Sequence, residues 1–229
     1  MKKLLAFITM ILISSLSNGY EFKGYEMGTP LSDFKSRGVH EDVFLLTKHD
    51  RYLSWESKLI CSDENKNEHI LLLARYPEDT VVICSIKEVA SGSRFSHYKN
   101  GYMWLKLGSS TYPIQPIFTF VSLKNGEEPV LSMIDFEFFT TSYQSTLSAL
   151  IEKYKKPFSS SSQNLQNRFG SNFKNVKTVW RDKTSVIELQ KYSGGYTSEK
   201  SSLIFFFKSG ESQLNKLANE KYKDKKNAI

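Results

Sequence analysis

Two cysteines, six prolines and four histidines are all that this chain of 229 residues holds of the residue types that staple, kink or most often catalyse. Cys61 and Cys84 are too far apart for a C-x-x-C redox motif. A structural zinc site would need further cysteine or histidine at short spacing, and only His69 stands near Cys61. His40, His49, His69 and His97 are scattered, with no H-E-x-x-H on a helix. Neither phosphate-binding glycine pattern occurs, and no G-x-S-x-G elbow presents a serine nucleophile. No metal and no cofactor are therefore expected. Past the first residues, no apolar run approaches the roughly 20 residues that span a bilayer as a helix. The formal charge of +7 raises the odds of an acidic partner or surface, yet falls short of the basic stripe of a nucleic-acid binder.

What is present begins with "MKKLLAFITMILISSLSNGYEF". Lys2 and Lys3 make a positive start, Leu4 to Leu16 is apolar, and Ser17 and Gly19 sit at the −3 and −1 positions of a signal-peptidase site. We expect residues 1–19 to be a cleaved signal peptide, cut between Gly19 and Tyr20, with cleavage after Ser17 as the alternative. No cysteine follows to take a lipid anchor. Export to the periplasm or beyond the cell is expected, with no stable membrane insertion after cleavage. Without its leader the chain keeps 210 residues and a charge of +5. That is long enough for one sizeable core or two small ones. In an exported protein, two cysteines are expected to pair, which makes Cys61–Cys84 a structural disulfide.

The remaining pattern reads as helix, strands, helix, strands. Thr29 caps and Pro30 opens a short helix to Arg37, with Leu31 and Phe34 facing inward. "DVFLLT", "YLSWESKLIC", "HILLLAR" and "TVVICSIK" read as strands separated by polar turns, the last two covered on both faces. Residues 91–101 read as a loop. "GYMWLKLG" and "PIFTFVSL" follow as strands, and "KNGEE" turns the chain back into "PVLSMIDFEFFTT" as a hairpin. In "SYQSTLSALIEKYKK", Leu147, Leu150, Ile151 and Tyr154 make a helical stripe that Pro157 stops. "SSSSQNLQN" is polar and reads as a mobile loop. "KTVWRD", "TSVIELQKY" and "SSLIFFFKS" predict three antiparallel strands, and a lysine-rich helix ends the chain as a solvated tail. Without strict β-α-β alternation, the class is α+β: antiparallel sheets with two or three helices packed on one side. Residues 20–229 are expected to form one domain, the alternative being two similar halves, about 20–112 and 113–229.

"LSALIEKYKKP" followed by "VWRDKTSVIEL", with "FKGYEMGTPLSDFK" near the start, resembles a pattern in small exported proteins of Gram-negative bacteria whose function is uncharacterised. There a helix ending near L-x-x-K-Y-G-x-P precedes a tryptophan-bearing strand and then an apolar one. Lys155 stands where that pattern has glycine. The resemblance implies an envelope location and an α+β fold, and carries over no catalytic residue.

Few groups remain for chemistry. Asp135 and Glu137 stand two apart in "MIDFEFF", so a strand would put both carboxylates on one face, where such pairs divide acid and base roles in glycoside hydrolysis. A half-exposed strand has the same alternation, and a solvent face is expected. His97 follows Ser96 in a loop and is the other acid/base candidate. Trp55, Trp104 and Trp180 would stack sugars only if they converged; at strand positions aromatics are expected in the core. The leading expectation is an exported periplasmic binding protein whose partner is a protein or envelope component. An inhibitor, an immunity-type protein or an envelope accessory factor would fit. The alternative is a cell-wall or glycan hydrolase using Asp135 and Glu137, or His97. Oligomeric state leaves no mark in the sequence.

Overall fold

The computed structural model describes residues 20–22, 24–38, 43–44, 54–77, 79–91, 98–100, 102–107, 110–166, 170–193 and 199–227. The expected leader, His40, His49 and His97 lie outside the described residues. In chain order the elements are β1 (Glu21–Phe22), β2 (Tyr25–Glu26), α1 (Leu31–Arg37), β3 (Val43–Phe44), β4 (Ser54–Cys61), a 3-10 turn (Lys66–His69) continuing into α2 (Ile70–Leu73), β5 (Val81–Ser91), β6 (Tyr98–Asn100), β7 (Tyr102–Leu107), β8 (Ser110–Ile114), β9 (Ile117–Val121), β10 (Val130–Phe139), α3 (Tyr143–Tyr154), β11 (Ser159–Gln166), β12 (Asn172–Arg181), β13 (Ser185–Gln190), β14 (Lys200–Phe207) and α4 (Lys208–Asn227).

One large sheet organises them, in the order β11-β12-β13-β14-β10-β9-β5-β4, with β6 also on β5; β3, β7 and β8 form a smaller sheet. Neighbours in the large sheet are antiparallel throughout. The α+β class with antiparallel sheets is what the alternation of strand and helix patterns predicts. The hairpin expected around Asn125-Gly126 is β9–β10, with Val121 opposite Val130. Gly126 takes φ 82°, a conformation side chains disfavour.

Strand alternation gives this sheet two unlike faces. On the first, Ile134 and Phe136 of β10 meet Phe118, Phe205 and Trp180, and Phe34 of α1 packs against Phe118 and Phe120 at ring distances of 4.9 Å. α3 covers the same face with Tyr143 and Leu150, so α1 and α3 share one side. Full burial of each such Phe stabilises by about 2–3 kcal/mol. On the second face, Leu214 and Leu217 of α4 lie over Val81, Ile83 and Val121, with Leu72, Leu73 and Met133 beside them. α4 approaches β10 so closely that a Cβ on Gly210 would stand 2.2 Å from Ser132 Oγ. The first half of the lysine-rich helix is therefore docked. No helix among the described residues is long and apolar enough to cross a membrane.

Several local expectations are corrected. Thr29 does not cap α1; its hydroxyl donates to the Glu26 carbonyl (2.7 Å), while the Ser32 amide of the first turn donates to Glu128 Oε1 (2.6 Å), a cap from far along the chain. "HILLLAR" is not a strand but the 3-10 turn and α2, with Leu72 and Leu73 inward and Ile70 and Leu71 exposed by 61% and 85%. Short apolar runs are ambiguous in period, and leucine-rich ones favour helix over strand. "SSSSQNLQN" contains no loop over residues 159–166 but the strand β11, paired with β12 along all its length. Its ladder is made by backbone, so its side chains carried no signal. β8, too, has no counterpart among the expected strands, and β6 occupies the end of the segment read as loop.

Candidate functional site

Cys61 and Cys84 stand directly opposite each other on β4 and β5 and form a disulfide, S–S 2.03 Å, with both residues buried. The bond closes the excursion that carries the 3-10 turn and α2. It joins the first-face core and is not presented to solvent, which is a structural placement rather than a redox one.

Asp135 and Glu137 do share one face of β10, the second. Asp135 sits between Ile117 on β9 and Ile204 on β14. Burial, reinforced by the neighbouring Glu137 charge and only partly offset by Arg75, pushes its carboxyl up to about 6. Glu137 is exposed, and burial would raise it; the Ser193 hydroxyl (2.8 Å to Oε1) and the Lys200 ammonium (3.0 Å to Oε2) outweigh that and hold it below its ordinary value. The two groups are thus pushed apart in acidity, as acid/base pairs are. Yet both Glu137 oxygens already accept bonds from within the chain. The solvent-face expectation holds for Glu137 and fails for Asp135, whose strand neighbours are apolar.

Of the other candidates, His69 and Trp180 are described, and both are engaged within the chain. His69 is buried, its Nε2 donating to the Ile60 carbonyl (3.0 Å). Trp180 is buried in the first-face core, its indole N–H donating to the Lys155 carbonyl (3.0 Å). Trp55 and Trp104 belong to β4 and β7, and their side chains lie outside the described set. Among the described residues no three His, Cys, Asp or Glu side chains group as metal ligands. Tyr20, the residue after the expected cleavage point, is docked: its amide donates to Ser185 Oγ (3.1 Å) and its ring meets Tyr154 at 4.8 Å.

The feature that the sequence patterns hid is the free edge of the large sheet. β11 is eight residues long, and seven of them are exposed, Leu165 alone being half-buried. Edge strands in natural proteins are usually guarded by charge, proline, a bulge or shortness. β11 has no charged residue and no proline, and its register with β12 runs unshifted from Ser159–Val179 to Gln166–Asn172. Among the described residues, no strand pairs with its outer side. The chain segment that carries it is one-signed. From Lys155 to Arg181 the chain has six basic residues and no Asp or Glu, which is +6 of the formal +7. Lys155, Lys156, Lys174 and Arg181 are exposed there, and Arg181 lies 4.8 Å from the exposed Phe158 ring. Lys177 pairs with Glu188 of β13 (2.7 Å). A charge count by segment finds this asymmetry; the whole-chain total conceals it.

Comparison with protein-family models, with curated proteins and with solved structures found no match for this chain.

Proposed function

We propose that this is an exported binding protein, working in the periplasm or outside the cell, that captures an extended, acidic segment of a partner protein by strand addition to β11. The observation that carries the reading is the unguarded edge inside an acid-free hairpin. An open edge offers a row of unpaired backbone donors and acceptors, which a second chain satisfies as a further strand. The surrounding cations select the charge of that chain and steer its approach. Export rests on the leader pattern and is supported by the Cys61–Cys84 bond, which persists in oxidising compartments.

The test is amide exchange and chemical-shift mapping with two extended octapeptides, one alternating Glu with Val and one alternating Lys with Val. The acidic peptide should slow exchange along β11, bind more weakly as salt rises, and lose its advantage in Lys155→Glu/Lys156→Glu/Lys174→Glu protein. Equal protection by both peptides, or none at β11, would sink the proposal.

One observation favours a second reading, hydrolysis of cell-wall or glycan material: the opposite displacement of the Asp135 and Glu137 acidities. On that reading Asp135 is the acid and Glu137 the base. It requires turnover by purified protein that disappears in folded Asp135→Asn. Turnover unchanged by that substitution would remove the carboxylate pair from consideration.

A further inference from the structure

Independently of the β11 edge, we infer that the segment closed by the Cys61–Cys84 bond forms a binding site for a small, neutral, mainly hydrocarbon molecule carrying a hydrogen-bond acceptor. β4 and β5 are antiparallel neighbours that a tight turn could join, yet the chain between the two cysteines, a sequence separation of 23, folds into a 3-10 turn and α2. Excursions of that length between paired strands are uncommon, and compact ones are frequently functional. This one encloses a cleft of about 420 Å³, within the range of small-molecule sites. Every described lining residue falls between the two cysteines except Lys221, which comes from α4.

The hydrocarbon of the cleft is supplied by Ile70, Leu73, Ala74, Tyr76, Val81 and Val82. Leu73 and Tyr76 pack against the second-face core of Val81, Leu214 and Leu217, yet each is only half-buried. The cleft is thus a stretch of core wall that the chain leaves uncovered, and an apolar body would cover it. The charges decide what that body can carry. Asp63 and Asp79 stand in the lining with Lys66 and Lys221, two of each sign. Both carboxylates are already engaged, Asp79 by Lys66 (2.6 Å) and Asp63 by Lys35 (2.8 Å). An ion entering here meets both signs and loses hydration without a one-sided return, so a neutral molecule is favoured. Tyr76 supplies a polar contact. Its hydroxyl makes no hydrogen bond among the described residues and is not sealed from solvent, so it is free to donate to a carbonyl or ether oxygen. Lys221 likewise only donates, which asks again for an acceptor.

4-Phenylbutan-2-one is titrated into disulfide-intact protein beside 4-phenylbutanoate and 4-phenylbutylammonium, which keep the hydrocarbon and replace the ketone by a negative or a positive group. The backbone amide signals of Leu73, Tyr76 and Val81 report binding. Saturable shifts with the ketone, and at least tenfold weaker binding of both ions, support the site. Ala74→Trp, at an exposed position of the lining, fills the cleft and should weaken the ketone at least tenfold. Tyr76→Phe should weaken it about fivefold, the worth of one hydrogen bond. Either ion binding as tightly as the ketone overturns the inference, as does the absence of saturable shifts at these amides, or unchanged ketone binding in either variant. The contrast between ketone and ions needs no substitution, so a variant that unfolds does not protect the idea.

Discussion

At one end of the large sheet, β4 carries Glu56 and Lys58 within its length and is bonded through Cys61 to Cys84 of β5. At the other end, β11 runs from Ser159 to Gln166 without a charge and is held by the ladder to β12. The first edge has in-strand charges and a covalent staple; the second has neither. Each end also has one non-glycine residue at positive φ, the two found among the described residues: Asp79 at 59° and Lys155 at 64°. Aspartate tolerates that region and is tied there to Lys66 (2.6 Å), whereas Lys155 combines its positive φ with ψ −151°, a pairing that side chains strongly disfavour. The stapled end is thus reinforced and the open end carries strain, the distribution expected if the open end does the binding.

Removing the staple tests that contrast most strongly. A Cys61→Ala/Cys84→Ala protein should lose about 3 kcal/mol by denaturant titration, because the bond closes a loop with a sequence separation of 23. Amide exchange in the 3-10 turn and α2 should accelerate more than exchange in the β11–β12 ladder. Equal acceleration at the two ends would mean that the bond stabilises the sheet as a whole and does not reinforce one edge.

Between the ends, Asp135 tunes the sheet with pH. Its folded acidity lies near 6 against an ordinary value of 3.8, because burial disfavours the charged form. A raised carboxylate favours the folded state fully below the unfolded value, and that contribution is lost as pH rises through about 6. Asp135→Asn should therefore stabilise the protein by about 3 kcal/mol at pH 7 and flatten the stability profile between pH 4 and 6.5. A gain at pH 4 as large as that at pH 7 would assign the effect to packing instead of ionisation.

The two ends also differ in how much of them a single sequence discloses. At the stapled end the paired cysteines and the apolar run of β5 announce both strand and bond. α2 is hidden there because His69 to Leu73 satisfies a buried strand and a short helix equally well, and β6 falls within residues whose sequence reads as a loop. At the open end the burial signal is nearly absent: β11 exposes its serines and amides on both sides and exists because β12 offers a backbone ladder. Long-range partners are hidden for the same reason. Glu128 capping α1 and Lys221 of α4 in the cleft beside α2 depend on which residues the fold brings together, and no local pattern encodes them. Asp135 and Glu137 are legible as a pair on one face; which of them is buried is not, since that depends on the neighbours Ile117 and Ile204 that the fold sets beside Asp135.

Lys155 offers a smaller and more local break. It leaves α3 at φ 64°, ψ −151°, a combination taken almost only by glycine, and its carbonyl is held there by the Trp180 indole. Glycine takes this combination without penalty, so Lys155→Gly supplies what the geometry asks for. Relief of strain outweighs the added freedom of the unfolded chain, and a gain of about 1 kcal/mol is expected in thermal or denaturant unfolding. A loss would show that the Lys155 ammonium, which donates to the Glu152 carbonyl (3.0 Å), matters more than the backbone.

The smallest effect on stability should accompany a decisive effect on binding. Ser161→Lys and Ser162→Lys place a charge at mid-length of β11, on opposite faces of the exposed strand. Surface substitutions of this kind stay within about 0.5 kcal/mol of the parent. Each nonetheless supplies the guard that edge strands usually carry. Because lysine adds to the cations already present, an acidic peptide drawn in by charge alone would bind these variants at least as well as the parent. A peptide that must lie flat as a ninth strand on the β4-to-β11 path meets a long side chain beside the ladder and binds less well. Weaker binding in either variant, with unfolding unchanged, separates strand addition from attraction to a basic surface; stronger binding in both leaves β11 a charged patch and removes the functional contrast between the two edges.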